Sequence, residues 1–248
     1  MNTHNIFCVY LSTRFYVCTC TIDRVVGAVQ LKIGMITIGQ SPRNDVIAEI
    51  REILDQMEIV QRGCLDELTN EQIGSLKPKE TEPFLVTALR DGSSVQVSAE
   101  KTVQLLQQRI KELENKDVTA IVLLCTGDFP NLESKKPLIQ PGRLIRGLVE
   151  AMLSGEEKLG VVIPCSEQTG QTKKKWSRLN PVVAVASPYD NSARIQQAAK
   201  RLRAETVDLT VLDCIGYTRL MKQTVKEIAG KPVILARTLL ARVLKELC

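Results

Sequence analysis

Short apolar runs alternate with longer amphipathic stretches along most of this 248-residue chain. A short run that is apolar throughout indicates a strand buried on both faces, as in a parallel sheet, because neither face then meets water. The pattern predicts strands at Lys32–Gly39, Phe84–Ala88, Val95–Val97, Ile121–Leu124, Leu159–Ile163, Val182–Ala186, Val207–Leu212 and Val233–Leu235.

Stretches with an apolar residue every three or four positions follow most of these strands and predict helices. In the first of them, Ser41 suits the N-cap and Pro42 the first helical position, ahead of an apolar face that starts at Val46. The others are predicted at Ala99–Asn115, at Arg143–Leu153, at Ser192–Arg203, and in segments ending at Ala229 and Leu247. Strand and helix alternate throughout, which predicts an α/β fold with mainly parallel sheets.

The length allows one large domain or two small ones. A second series of strands and helices begins near Lys158, so we expect two Rossmann-like lobes. The first would span residues 31–156 and the second residues 157–229, with residues 230–248 packing back on the first lobe.

Residues 1–30 differ in composition from the rest of the chain. They hold four of its eight Phe and Tyr residues and three of its eight cysteines, with no clear strand or helix period. Cys18 and Cys20 are spaced as metal ligands could be, but no second ligand pair has matching spacing, so no metal site is expected. We expect residues 1–30 to be an extension outside the fold.

Charge and composition exclude several classes of function. The net charge of +5 is modest, and its main cluster, Lys173–Lys175 with Arg178, lacks interleaved aromatic residues. We interpret this cluster as a solvated helix face rather than a nucleic-acid surface. The only histidine is His4, so the body of the chain cannot build a Ser-His-Asp triad or a Cys-His pair. Without a signal peptide or membrane span, a cytoplasmic protein with reduced thiols is expected.

Two cysteines stand at equivalent places in the two series. Cys125 in L-L-C-T-G and Cys214 in L-D-C-I-G each follow an apolar strand and precede a glycine. A single cysteine in such a place is usually a small buried hydrophobe. Two at matched strand ends favour a functional pair, because one thiolate can remove a proton from a bound carbon while the other thiol supplies one to the opposite face. Cys64, Cys165 and Cys248 lack this context and are expected to be structural or surface thiols.

Anion-binding groups are predicted near both cysteines. Backbone N–H groups at turns around Thr126, Gly127 and Thr218 could bind a carboxylate. The turn with Ser41 and Arg43 after the first strand could do the same, although helix capping explains Ser41 equally well.

Three segments together resemble the AroM family: K-I-G-M-I-T-I-G-Q-S-P-R-N-D-V at Lys32–Val46, L-L-C-T-G-D-F at Leu123–Phe129 and L-D-C-I-G-Y at Leu212–Tyr217. That family is similar to the aspartate/glutamate/hydantoin racemase superfamily. The resemblance implies two pseudo-symmetric α/β lobes with the active site in the cleft between them. It also implies paired catalytic cysteines, here Cys125 and Cys214, that work without metal or pyridoxal phosphate, and a carboxylate-binding role for Thr126.

The chain departs from glutamate racemases of that superfamily. They carry threonine and histidine after the second cysteine, where this chain has Ile215 and Gly216, so only Asp213 stands beside Cys214 as a charged neighbour. Their aspartate and serine after the first strand are replaced by Gln40, Ser41 and Arg43. The resemblance therefore does not carry over a substrate.

We expect a cofactor-independent racemase, epimerase or isomerase that acts at the carbon next to a carboxylate. Cys125 and Cys214 would be the acid/base pair, each with a pKa low enough to react readily near neutral pH. The partner would be a small carboxylated metabolite, with no nucleic acid and no membrane, and the assembly a homodimer. Substrate would be bound by Ser41, Arg43, Thr126, Gly127, Tyr189 and Thr218, with Glu167 or Tyr189 lining the cleft from the second lobe. The alternatives are a non-catalytic metabolite-binding protein and a one-cysteine decarboxylase.

Overall fold

The computed structural model describes residues 31–54, 57–130 and 132–247. These residues belong to one compact unit, Leu31–Cys248. The predictions for residues 1–30, including the pair Cys18 and Cys20, and for Cys248 fall outside the described residues.

The strands are β1 Lys32–Thr37, β2 Glu58–Gly63, β3 Phe84–Ala88, β4 Ser94–Ser98, β5 Ala120–Leu123, β6 Leu138–Ile139, β7 Leu159–Ile163, β8 Val182–Val185, β9 Leu209–Leu212 and β10 Val233–Leu235. The helices are α1 Asn44–Arg51, α2 Asn70–Ser75, α3 Ala99–Glu114, α4 Pro141–Met152, α5 Thr169–Lys175, α6 Ser192–Ala204, α7 Arg219–Ala229 and α8 Ala236–Lys245. Strands and helices alternate through most of the chain, which confirms the predicted α/β class.

Two four-stranded sheets organise the described part of the chain. The first has the order β2-β1-β5-β6 and the second the order β8-β7-β9-β10, and every pairing in both is parallel. If the four strands of each sheet are numbered in chain order, both sheets have the same strand order, 2-1-3-4. Because all strands of a parallel sheet end at the same edge, the loops after β5 and β9 occupy equivalent places in the two sheets.

The central strands are buried because helices cover both faces of each sheet. All residues of β5, β7 and β9 are buried, which explains why their sequences are continuous apolar runs. One hydrophobic cluster includes Val122 from the first sheet, Val211 from the second and Leu240 from α8. The two lobes therefore share a continuous apolar core, which fixes the strand ends relative to each other.

The C-terminal segment contributes to both lobes. Its strand β10 pairs with β9 in the second sheet, with Ile234 opposite Val211. Its helix α8 then packs against α1 and α4, which follow strands of the first sheet. The segment thus passes from the second sheet to the helices of the first lobe.

Several elements differ from the sequence prediction. Helix α1 begins at Asn44 with Arg43 at its N-cap position, so the prediction of Ser41 as N-cap is wrong. The Ser41 hydroxyl instead donates to Asp66 Oδ2 at 2.6 Å. Strands β2 and β6 were not predicted, because β2 is only partly buried and β6 has two residues. None of the helices in the described part of the chain is long and apolar enough to cross a membrane.

Candidate active site

The two cysteines singled out by sequence line the same cleft. Cys125 follows β5 and Cys214 follows β9, so each lies beyond the carboxyl end of a buried parallel strand. Both are partly buried. The backbone N–H of Gly127 donates to Cys125 Sγ at 3.4 Å, and that of Gly216 donates to Cys214 Sγ at 3.4 Å. Each lobe therefore presents a thiol held by the same local geometry.

The cleft suits a small ligand. Its cavity volume is about 70 Å³. Because one buried water needs roughly 10–15 Å³ of such space, the cavity has room for a ligand of a few heavy atoms. Its walls combine apolar side chains, such as Leu85 and Ile163, with hydroxyl, amide and charged groups from both lobes.

Arg43 is a buried arginine that lines the cleft, with 5% of its surface exposed. Its guanidinium donates to both carboxylate oxygens of Asp45, at 2.8 and 2.7 Å, and to the hydroxyl of Tyr189 at 3.4 Å. Burial opposes the charge, but these hydrogen bonds outweigh it and hold the Arg43 pKa above its ordinary value. Arg43 therefore stays a cation and connects the first lobe to Tyr189 of the second.

Tyr189 meets the cleft through its hydroxyl. Although 39% of the residue is exposed, the loss of hydration around the hydroxyl raises its pKa to about 12, and the nearby Cys214 adds to the shift. The hydroxyl is thus a neutral hydrogen-bonding group at physiological pH.

A buried ion pair joins the loops of the two cysteines. Lys175 Nζ donates to Asp213 Oδ1 and Oδ2 at 3.0 and 2.8 Å and to the carbonyl oxygen of Thr126 at 2.9 Å. Asp213 immediately precedes Cys214, and Thr126 immediately follows Cys125. Trp176 Nε1 also donates to Asp213 Oδ2, at 3.3 Å. Lys175 therefore bridges the cleft between the two lobes.

Sequence reasoning missed Lys175. The prediction that Lys173–Lys175 is a solvated face holds for Lys173 and Lys174, which are exposed, and is wrong for Lys175, whose side chain is 7% exposed. The sequence carries no local signal for this burial, because adjacent helical residues such as Lys175 and Trp176 do not share a face, and the partners of Lys175 lie far away in sequence.

Burial raises the pKa of both thiols. The pKa of Cys125 rises to about 12, with the neighbouring Cys214 and Asp213 adding to the effect of burial while the Gly127 N–H and Lys175 oppose it. The pKa of Cys214 is also raised by burial, but Gly216 N–H, Arg43 and Arg237 oppose the shift. Burial therefore acts against a low thiol pKa at both positions, and Cys214 has the stronger cationic surroundings.

Buried Arg237 lies behind Cys214 and was also missed. Its guanidinium, 1% exposed, donates to the carbonyl oxygens of Ile215 at 3.1 Å, Gly216 at 2.9 Å and Asp45 at 3.1 Å. It also pairs with Glu49 at 3.3 Å. Arg237 thereby fastens the loop after Cys214 to α1 of the first lobe.

The structure brings together most of the residues that the sequence singled out. The cleft is lined by Arg43, Cys125, Thr126, Gly127, Tyr189 and Cys214. Ser41 and Thr218 lie outside this lining: Ser41 is bonded to Asp66, and the Thr218 hydroxyl caps α7 by accepting from Met221 N–H. Glu167 is exposed and accepts from Ser166.

Cys64 and Cys165, the remaining cysteines of the described ranges, lie outside the cleft lining. Cys64 is fully buried in the first lobe, and Cys165 follows β7 outside the cleft lining. Across the described ranges, no group of three or more His, Cys, Asp or Glu residues is placed to hold a metal ion.

Solved structures with this fold include a glutamate racemase from Aquifex pyrophilus, which matches with a TM-score of 0.52 and 17% identity over 88% of this chain and 84% of that one. The maleate isomerase Iso from Pseudomonas putida S16 matches with a TM-score of 0.56 and 14% identity over 88% and 92%. Unliganded arylmalonate decarboxylase matches with a TM-score of 0.55 and 12% identity over 87% and 91%. At such low identity these likenesses show the fold alone, which the chain shares with these three enzymes.

Sequence comparison gives the family. No curated protein matches the chain significantly. A family model described as "AroM protein" matches residues 33–248, which include both lobes and every residue of the cleft. The chain belongs to the AroM family.

Proposed function

We propose that this protein is a cofactor-independent racemase, epimerase or isomerase that acts on the carbon next to a carboxylate in a small acid. The observation that carries the proposal is the pair of thiols, Cys125 and Cys214, at matched strand ends of one cleft, each bonded to a backbone N–H. Two acid/base groups from opposite lobes are what inversion at carbon requires, because the proton leaves from one face and returns to the other.

The substrate carboxylate is bound by donors beside the cysteines. Thr126 and Ile215, one in each cysteine loop, line the cleft, and their backbone N–H groups form no hydrogen bond within the described residues. Arg43 and the Tyr189 hydroxyl add charged and neutral donors on one side of the cleft. Such donors also stabilise the negative charge that develops on the carboxylate when the neighbouring carbon loses its proton.

The reaction is a proton relay between two sulfur atoms. One cysteine enters as thiolate and removes the proton, and the electron pair left on carbon delocalises into the carboxylate. The other cysteine then gives its thiol proton to the opposite face of that carbon, so the two sulfur atoms have exchanged protonation states. Arg43 and Arg237 favour the thiolate of Cys214, which supports Cys214 as the base and Cys125 as the acid in the first half of the relay.

The test is solvent deuterium incorporation next to the carboxylate across a panel of small acids. Wild-type protein should exchange at least one acid, and Cys125→Ala and Cys214→Ala should each abolish its racemisation, because neither sulfur can complete the relay alone. Cys165→Ala is the matched control and should keep the rate, since its thiol lies outside the cleft. Racemisation that survives both cleft substitutions would refute the proposal.

A second candidate is a metabolite-binding protein without catalysis, which the raised pKa of both cleft thiols favours, because neutral thiols are weak bases. Binding that persists in Cys125→Ala and Cys214→Ala, with no exchange for any acid, would identify it. Loss of carbon dioxide from a malonate that depends on one cysteine would instead identify a decarboxylase.

A further inference from the structure

The charges inside the cleft indicate which small acids it can accept. An amino acid would bring a carboxylate and an ammonium group. The ammonium needs an uncompensated carboxylate nearby, because an unpaired charge taken out of water is costly. Within the part of the chain that the structure describes, the carboxylates that line the cleft are those of Asp213 and Asp128.

Asp213 is already fully compensated. Its side chain is 6% exposed, and Lys175 Nζ lies within 3.0 Å of both oxygens. Trp176 Nε1 donates to one of those oxygens as well. An ammonium group at Asp213 would have to displace Lys175, which is itself buried and also bonded to Thr126.

Asp128 lies where the cleft meets water. Its side chain is 46% exposed, and Oδ1 accepts from Arg146 Nη2 at 2.7 Å. Its charge is therefore both paired and hydrated, and an ion pair made in that setting is weak. Asp128 gives little compensation to an ammonium held between the two cysteines.

The groups left to contact the substituent of the reacting carbon are neutral. Gln168, Gln171 and Thr172 line the cleft from the second lobe, and Tyr189 presents a neutral hydroxyl. Amides and hydroxyls pair well with hydroxyl groups and acylated nitrogens, which carry no charge. Arg43 is paired with Asp45 and Lys175 with Asp213, so each cation that lines the cleft within the described residues already has a carboxylate partner.

Building on the proposed function, we propose that the substrate is a small carboxylic acid whose α-carbon carries a neutral polar substituent, a hydroxyl group or an acylated nitrogen, and not an ammonium group. The carboxylate occupies the donors beside the cysteines, and the neutral substituent faces the amides and hydroxyls of the second lobe.

The experiment compares acids with one carbon skeleton and different α-substituents that are small enough for this cleft, such as lactate, N-acetylalanine and alanine, or glycerate, N-acetylserine and serine. At neutral pH, Cys125 and Cys214 are labelled with iodoacetamide in the presence of increasing concentrations of each acid. The extent of labelling at each cysteine is measured by mass spectrometry, with Cys165 as the internal control. In at least one set, a hydroxy or N-acyl acid should protect the cleft cysteines at a concentration on the order of 100-fold lower than the amino acid does. Cys165 labelling should not change.

Amino acids that protect as well as their neutral counterparts would overturn the inference, and so would a complete lack of protection by every acid. Deuterium exchange on the same acids separates this inference from the proposed function. Protection by neutral acids without exchange would leave the ligand class standing and refute catalysis. Exchange of amino acids in preference to neutral acids would leave catalysis standing and refute the ligand class.

Discussion

Lys175 and Asp213 form an ion pair whose side chains are 7% and 6% exposed. Replacing Lys175 by methionine leaves the Asp213 charge buried without its partner. We expect Lys175→Met to lower the free energy of unfolding by about 3–5 kcal/mol, measured by urea denaturation.

Two variants control that experiment. Lys174→Met removes an exposed lysine from the same helix and should change stability by no more than about 0.5 kcal/mol. The double variant Lys175→Met/Asp213→Asn removes both charges and should recover much of the loss. A single variant as stable as wild type would contradict the burial of the pair.

The raised pKa of Cys125 predicts how the reactivity of its thiol depends on pH. Because the pKa of Cys125 is raised to about 12, its thiolate fraction grows steadily up to strongly alkaline pH. Its iodoacetamide rate should rise about tenfold per pH unit between about pH 7 and 10, whereas an ordinary thiol levels off above its pKa of about 8.5. A plateau near pH 9 would contradict the burial of this thiol. Peptide mapping separates Cys125 from the other cysteines.

Sequence located the cysteines and missed the charges that surround them. Cys125 and Cys214 could be found because strand ends and glycines are local signals. The burial of Lys175 and Arg237 could not, because their partners lie at least 21 residues away in sequence, such as Asp213 for Lys175 and Gly216 for Arg237. Polar residues are normally exposed, so their burial follows from tertiary packing alone.

Helix α4 supports the loop of Cys125 through a close contact. A Cβ atom on Gly142, in the first turn of α4, would lie 2.6 Å from the carbonyl oxygen of Thr126. Gly142→Ala should therefore displace this loop, lower the stability by about 1–3 kcal/mol and slow any reaction that uses Cys125.

Gly147 is the matched control on the same helix. A Cβ atom there has nothing within 4 Å, so Gly147→Ala should raise the free energy of unfolding by roughly 0.5–1 kcal/mol through helix propensity. Thermal unfolding of both variants distinguishes the two effects. If Gly142→Ala stabilised the protein, the Cys125 loop would have moved away from the new methyl group without loss of stability, and the prediction would be wrong.

Helix α8 supports the loop of Cys214 in a comparable way. Arg237→Lys keeps the charge but cannot donate to Ile215, Gly216 and Asp45 in the same fork geometry. We expect the free energy of unfolding to fall by about 1–3 kcal/mol relative to wild type. Hydrogen exchange should accelerate more at residues 215–219 than in the Cys125 loop. Arg242→Lys, at an exposed position of α8, should change neither.

At the scale of elements, apolar periodicity gave most strands and helices. The long helices α3 and α6 lie within one residue of their predicted ends. The predicted start of α1 was misplaced, because serine is a typical helix cap but the backbone N–H and hydroxyl of Ser41 both donate to Asp66. Helix α5 was not predicted to be partly buried, because only Thr172 and the residues near its C-terminal end face inward.

For the molecule as a whole, buried thiols and phenols link stability to alkaline pH. The pKa of Cys125 and of Tyr189 rises to about 12 in the folded state, and that of Cys165 to about 11. The unfolded chain releases protons at lower pH than the folded chain, so stability is constant with respect to these groups below about pH 8 and falls as pH rises further. Urea unfolding should show this decline up to pH 12, and Cys125→Ser should reduce it. Stability that stays level over this range would contradict the prediction.

The sequence predicted parallel sheets covered by helices, but not the order in which the strands pair. Alternating strands and helices indicate parallel sheets, because a parallel pairing needs a crossover connection. The shared strand order of the two sheets is set by long-range pairing, such as Ile33 with Ala120 and Leu159 with Leu209. The pairing of β10 with the second sheet and the packing of α8 on α1 follow from the same kind of distant contact.

The position of Trp176 has a practical consequence. It is the single tryptophan of the chain, is 2% exposed, and donates to the carboxylate that precedes Cys214, with Lys175 Nζ at 5.4 Å from its ring centre. Intrinsic fluorescence therefore comes from one indole beside the cleft. Emission intensity can follow ligand occupancy in unlabelled protein, which gives a rapid screen for the acids that this cleft accepts.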